Sequence, residues 1–304
     1  MSCSPADSIR ASVIVPCYRM GGHIARIVAD LQAQCCDFAW EAIFVDDGSP
    51  EPESVYAPVT AAGFRLVRKP NGGVSSARNA GIAVASGEVL LFADPDDRLD
   101  PHFVATLVAG IDGVDLAWGL PAVDCGDGSA PSSGVPCDAG AVYSGGDAVR
   151  RRIWDAVFGY RLRDLFRARP GRLFAACRRE LANVCTRAFR RTVLGELRFD
   201  ESLGLYEDAM FLAAYAMRAR SMRILANCGY RYFIRPGGLM STENRVRPVE
   251  HKFALRDARR RLDPGMTHWR GTYIASFATV LRLSGWRAAW RYLTFRPCNS
   301  EVTS

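Results

Sequence analysis

Five apolar residues in an unbroken run, Val89-Leu90-Leu91-Phe92-Ala93, end abruptly in Asp94-Pro95-Asp96-Asp97. A run that is apolar at every position has no polar face to offer water, so it predicts a strand covered on both sides, as in the parallel sheet of an α/β fold. In open parallel sheets, ligands bind beyond the carboxyl ends of the strands. Three carboxylates within four positions repel one another, and a divalent cation bound among them would offset that repulsion. Acids at such a place also serve simply to solvate a loop or to cap a helix beginning near Pro101.

The preceding residues build the rest of a parallel sheet. Ala11 to Val15 is a short β-branched run, Glu41 to Val45 is a second, and Phe64 to Val67 a third. Between the first two, Ile24, Ile27, Val28 and Leu31 recur at helical spacing over about residues 22–35, which makes a βαβ unit. A helix over 73–85 has a packing face of small residues: Val74, Ala77, Ala80, Gly81 and Val84. Leu116 to Gly119 predicts a fifth strand. Residues 121–146 are crowded with Gly, Ser, Pro and Asp and predict a loop. Helices are expected over 150–169 and 206–220, a strand over 230–234, and further helices from Arg245 onward, the last over 272–295.

Composition narrows the class. At 304 residues, 49% hydrophobic and 23% charged, the chain suits one large α/β domain with appended pieces. The ten cysteines are scattered, without a CxxC pair or a regular framework, which points to reduced thiols in a cytoplasm. Neither a signal-peptide pattern nor a membrane-length apolar stretch is present. The net charge of +7 is concentrated in the Arg-rich stretches 150–191 and 245–296. Charge alone does not imply nucleic acid, and no nucleic-acid partner is expected. In the tail, Trp269, Tyr273, Phe277, Trp286, Trp290, Tyr292 and Phe295 alternate with arginines, a pattern of helices that lie at a membrane interface or pack on the domain.

Several chemistries fail on the first strand end. Pro16-Cys17-Tyr18-Arg19-Met20-Gly21-Gly22 lacks G-x-G-x-x-G spacing, and the chain has no Walker loop. A phosphatase with a strand-end Asp nucleophile is conceivable from Asp94-Pro95-Asp96 but is the lesser reading. What the strand ends do offer is a nucleotide pocket: Tyr18 presents a ring face, and Asp46, Asp47 and Asp94 accept hydrogen bonds. His23 and His102 have no second ligand at metal spacing and read as surface or capping residues.

The order of these motifs resembles the family-2 glycosyltransferases of GT-A fold. The resemblance is carried by Ser12-Val13-Ile14-Val15-Pro16-Cys17-Tyr18, Phe44-Val45-Asp46-Asp47-Gly48-Ser49, Asn71 to Ile82 followed by Ser86-Gly87-Glu88, and Asp94-Pro95-Asp96-Asp97. A fifth match is Phe199 to Leu203 with Tyr206-Glu207-Asp208-Ala209-Met210-Phe211. It fades between 102 and 195 and does not cover the tail. Arg19 stands where the family commonly has Asn, and Pro95 where a small residue is usual.

The resemblance implies a mostly parallel, Rossmann-like sheet flanked by helices, with a helical C-terminal extension. It implies sugar transfer, with inversion, from a nucleoside-diphosphate sugar such as a UDP-sugar to an acceptor hydroxyl in surface polysaccharide or glycoconjugate synthesis. By motif position Pro16 and Tyr18 line the base pocket, Asp47 binds the base, Arg78 approaches the nucleotide or pairs with a nearby acid, and Asp94 faces the ribose. Asp96, with Asp94, would ligate Mg²⁺ or Mn²⁺, and Asp208 would be the general base with Glu207 beside it. Arg235, Gly237, Gly238 and Ser241 resemble a loop that closes over the donor. The expected division is a donor half, 1–119, an acceptor and base half, 120–244, and a helical tail, 245–304. The acceptor would be a glycan or lipid-linked sugar, met in the cytoplasm or, through the tail, at the inner face of the plasma membrane. The rival readings are a sugar-phosphate nucleotidyltransferase, which needs a Gly-rich loop after the first strand that is not found here, and an inactive sugar- or nucleotide-binding homologue.

Overall fold

The structure is a computed structural model that describes residues 8–124, 132–133, 138–158, 183–233, 249–262 and 286–287. Its central layer is an eight-stranded sheet. The chain enters it at β1 (Ala11–Cys17), passes through helix α1 (Gly21–Gln32) and returns at β2 (Trp40–Asp46). A one-turn helix and α2 (Ala57–Ala61) lead to β3 (Arg65–Arg68), and α3 (Gly73–Val84) leads back across to β4 (Val89–Phe92). β1, β2 and β4 are the expected strands buried on both faces, paired in parallel with Val13 opposite both Ala42 and Leu91.

After β4 come β5 (Arg98–Leu99), α4 (Phe103–Gly110), β6 (Leu116–Trp118), β7 (Ala122–Asp124), β8 (Ser132–Ser133), β9 (Val142–Ser144) and α5 (Gly146–Phe158). The remaining elements are β10 (Arg187–Arg190), α6 (Arg191–Leu194), α7 (Glu207–Ala216), β11 (Ser221–Ile224), β12 (Tyr230–Phe233) and α8 (Val249–Leu262). In the large sheet the order is β3-β2-β1-β4-β10-β6-β11-β9, with β10 and β9 antiparallel to their neighbours. β5, β12, β7 and β8 form a smaller sheet. The large sheet runs through residue 119, so the expected donor and acceptor halves share one layer.

The stretch 121–146, expected as loop, contributes three short strands, because pairing with β11 and β12 satisfies its backbone despite its turn-like composition. The basic helix expected from Arg150 starts earlier, at Gly146. Its continuation past 158, the helix over 272–295, and Arg235, Gly237, Gly238 and Ser241 lie outside the described residues. No helix among the described residues is long and apolar enough to cross a membrane.

Two features of the core bear on the site. α3 lies close on β1, because a Cβ built on Gly81 would stand 2.4 Å from Ile14 Cγ2. Where α7 packs on the sheet, its Phe211 and Tyr215 join Phe92, Phe189 and Phe199 in an aromatic cluster whose rings meet mostly edge to face.

Candidate active site

Successive strands are added on one side of β1 through β3, and β4 returns on the other side, so the strand order reverses between β1 and β4. That is the place where an open α/β sheet leaves a crevice. Tyr18 follows β1, Asp46 and Asp47 end β2, and Asp94 follows β4, so the sequence-predicted residues converge on one edge of the sheet.

At the β1 end Pro16 is buried in the strand, Tyr18 is 41% exposed, and the Arg19 guanidinium lies 5.3 Å from the Tyr18 ring centroid. Arg19 has φ +54°, a left-handed conformation that Asn tolerates better than other side chains. This gives a physical reason for the Asn that the family commonly carries there. Asp47 is adjacent, its N–H donating to the Cys17 carbonyl at 2.9 Å. Its carboxylate is heavily engaged: Lys69 Nζ at 2.6 Å, Gly73 N at 2.7 Å, and Gly72 N at 3.1 and 3.2 Å from the two oxygens. Asp47 thereby ties the end of β2 to the start of α3. Lys69, which completes that tie, carries no signal in the local sequence.

Asp94 to Asp97 form a tight turn closed by the Asp97 N–H on the Asp94 carbonyl at 3.2 Å. Pro95 occupies the second position, where its fixed φ suits the turn, so the departure from a small residue stiffens the motif rather than disrupting it. Arg26 supports the turn through a 2.8 Å bond from Nη2 to the Asp96 carbonyl. Asp97 faces inward: it is 1% exposed and accepts from Tyr230 Oη at 2.6 Å and Phe233 N at 3.0 Å. Burial, reinforced by the Asp94 charge, pushes its pKa up to about 7. Asp94 and Asp96 are the more exposed pair.

One carboxylate oxygen from each of Asp94, Asp96 and Asp97 lies within 4.8 Å of the others, a set that fits a hard divalent cation such as Mg²⁺ or Mn²⁺. Asp94 and Asp96 would hold it, and Asp97 would anchor the turn.

The residues expected near the base meet this cluster through Arg78. Its guanidinium is 3% exposed and reaches Asp208 Oδ1 at 2.6 Å, Glu207 Oε1 at 3.3 Å and Asp94 Oδ1 at 3.4 Å. Arg78 thus has the acid-pairing role weighed above. Although burial works against its charge, Asp208 and Asp94 hold its pKa above the ordinary arginine value. Asp208 also accepts from Val184 N at 3.3 Å. Burial pushes its pKa up to about 7, with Arg78 opposing and Glu207 and Asp94 adding to the rise. Glu207 and Asp208 open α7 immediately after Tyr206, whose φ of +69° turns the chain into the helix. Acids in that first turn are favoured by the helix dipole. The Cys185 thiol is buried beside these charges, and burial followed by Asp94 raises its pKa well above the usual range.

Residues 12–129 match the family model described as glycosyl transferase family 2. They are a family-2 glycosyltransferase segment. Over 232 residues the chain is 22% identical to the minor teichoic acid biosynthesis protein GgaB of Bacillus subtilis (strain 168), covering 75% of this chain and 23% of GgaB. The uncharacterized glycosyltransferase YibD of Escherichia coli (strain K12) is 35% identical over 102 residues, which is 33% of this chain and 29% of YibD. The chain therefore spans less than a third of the length of either relative. Among solved structures, S. aureus TarS 1-349 in complex with UDP superposes with a TM-score of 0.60 at 19% identity, covering 95% of this chain and 76% of that one. The fold of this chain is thus of the GT-A type, a mainly parallel sheet flanked by helices.

Proposed function

We propose that this chain is a metal-dependent, inverting glycosyltransferase. It moves a sugar from a nucleoside-diphosphate sugar, of the UDP class, to an acceptor hydroxyl of a cell-surface glycopolymer. The observation that carries the reading is the Arg78 guanidinium, which gathers Asp94 of the acidic turn and Asp208 of α7 around one point. UDP and UDP-GlcNAc in complexes of S. aureus TarS support the donor class, and the teichoic acid role in GgaB's name supports the acceptor class.

In this reading Tyr18 lies against the base, Asp47 borders it, and Asp94 and Asp96 hold Mg²⁺ or Mn²⁺. The cation supplies neutralisation of the charge that develops on the departing diphosphate. Asp208 accepts the proton of the attacking hydroxyl. A carboxylate raised to about 7 suits that role, since it is half ionised near neutral pH and is a stronger base than an ordinary carboxylate. Arg78 holds the carboxylate in place, and Glu207 shares the same guanidinium. The division of labour on the helix follows from its geometry, because adjacent positions point about 100° apart and both acids do not face one atom equally.

The test is to incubate the protein with Mn²⁺ and UDP-glucose, UDP-galactose or UDP-GlcNAc, with water standing in for the acceptor hydroxyl, and to measure UDP release. Asp208→Asn should lower the rate at least about 10²-fold while UDP binding stays nearly unchanged. Pyrophosphate release from UTP and a sugar 1-phosphate, with no UDP released from the sugar nucleotides, would favour the nucleotidyltransferase. UDP binding without release from any sugar nucleotide would favour an inactive homologue. If Glu207→Gln is dead and Asp208→Asn active, the base is Glu207.

A further inference from the structure

Beside Arg78 on α3, the Asn79 amide is bound twice to one backbone residue 120 positions away. Its Nδ2 donates to the Phe199 carbonyl at 3.0 Å, and its Oδ1 accepts the Phe199 N–H at 2.8 Å. Nδ2 also donates to Glu201 Oε1 at 2.9 Å. The first two bonds close a ring like the one a neighbouring strand would make, so Phe199 is fixed in direction as well as distance.

Phe199 in turn touches both carboxylate-bearing elements. Its ring lies flat on Phe211, with centroids 3.9 Å apart and planes 2° apart, and it meets Phe92 edge to face at 5.5 Å. Phe211 follows Asp208 by three residues on α7, one turn along the same side of the helix. Phe92 ends β4, two residues before Asp94. The Arg78 guanidinium covers the Phe199 ring at 5.3 Å.

We propose that Asn79 is a positioning residue for the general base. Acting through Phe199, it sets where α7 stands relative to the Asp94 turn, so that Asp208 meets both Arg78 and the acceptor hydroxyl. The proposal rests on the sugar-transfer reading of the site. The side-chain hydrogen bonds of Asn79 go to Phe199 and Glu201 and not to Asp94 or Asp208. A planar group that both donates and accepts is required at this position. Aspartate keeps the acceptor but loses the donor and sets a second negative charge beside Glu201. Shape at the next link matters equally, since a leucine at 199 stays apolar but cannot lie flat on Phe211.

The experiment compares wild type with Asn79→Asp and Phe199→Leu at a temperature where circular dichroism shows each to be folded. UDP release from UDP-GlcNAc, UDP-glucose and UDP-galactose with Mn²⁺ gives the rate per folded molecule, and calorimetric titration with UDP and Mn²⁺ gives the donor-site Kd. Misplacement of the base by about 1 Å should slow the reaction about 10²-fold in both variants while leaving the UDP Kd within about twofold. Rates within about twofold of wild type in both variants would overturn the proposal while leaving the sugar-transfer reading intact, because Asn79 would then serve only stability. A Kd that worsens in step with the rate would also overturn it, by assigning Asn79 to the donor pocket. A wild type that neither binds UDP nor releases it would remove the sugar-transfer reading, and this proposal with it.

Discussion

Replacing Arg78 by Met keeps most of the side-chain volume and removes the charge that Asp94, Glu207 and Asp208 share. Breaking a buried ion pair from one side costs about 3–5 kcal/mol, because the remaining charge is left uncompensated. Here the figure belongs at the lower end, about 3 kcal/mol near pH 8, since Glu207 and Asp208 keep 16% and 17% of their side-chain surface in water. The loss should depend on pH in a definite direction. Burial already raises Asp208 above its unfolded value, and removing Arg78 raises it further, so the folded variant binds protons that the unfolded chain releases. Its stability therefore falls as pH climbs through the folded-state value and recovers as pH drops toward about 4, the unfolded carboxyl value. Urea unfolding of both proteins at about pH 8 and about pH 5.5, followed by circular dichroism, reads this directly. A destabilisation below about 1 kcal/mol, or one equal at both pH values, would refute the view that Arg78 neutralises these acids.

Four further outcomes test the site. Asp96→Asn should weaken Mn²⁺-dependent UDP binding, and excess chelator should abolish transfer; full transfer in chelator would remove the metal assignment. Asp47→Ala should raise the Kd for UDP with the fold retained by circular dichroism, and an unchanged Kd would confine Asp47 to tying β2 to α3. Arg19→Asn should raise stability by about 1 kcal/mol in urea titration, because Asn adopts the left-handed backbone at lower cost. The rate of transfer should rise with pH through about 7 as Asp208 loses its proton, and a rate flat between about pH 5 and 8 would exclude it as the base.

What the sequence makes legible is what it states locally. β1, β2 and β4 read as strands because the sheet is covered on both faces and their middles are apolar, and the ends of β2 and β4 carry acids of the site. β10 is hidden by its composition: Arg187-Ala188-Phe189-Arg190 places a fully buried arginine in a strand, and stacking on Trp118 at 3.8 Å accommodates that charge through contacts far apart in sequence. The same limit applies in the site. In residue type Asp94, Asp96 and Asp97 are equals, and it is Tyr230 and the Phe233 N–H, 133 and 136 residues from Asp97, that turn one of them inward. The acids that pair with Arg78 from α7 are likewise set by the fold, since Asp208 stands 130 residues away along the chain. Tyr206 enters a left-handed turn with no glycine or asparagine to announce it.

The close seat of α3 on β1 gives a glycine outside the pocket control over its charges. Gly81 lies one turn beyond Arg78, and the gap beneath it leaves no width for even a methyl group. An alanine there would act as a shim, levering the helix off the strand and lifting the guanidinium away from Asp94 in the turn after β4. The tolerance on the acid cluster is therefore set by an atom that residue 81 does not have, and a search for residues that tune this site has to include positions that never touch it.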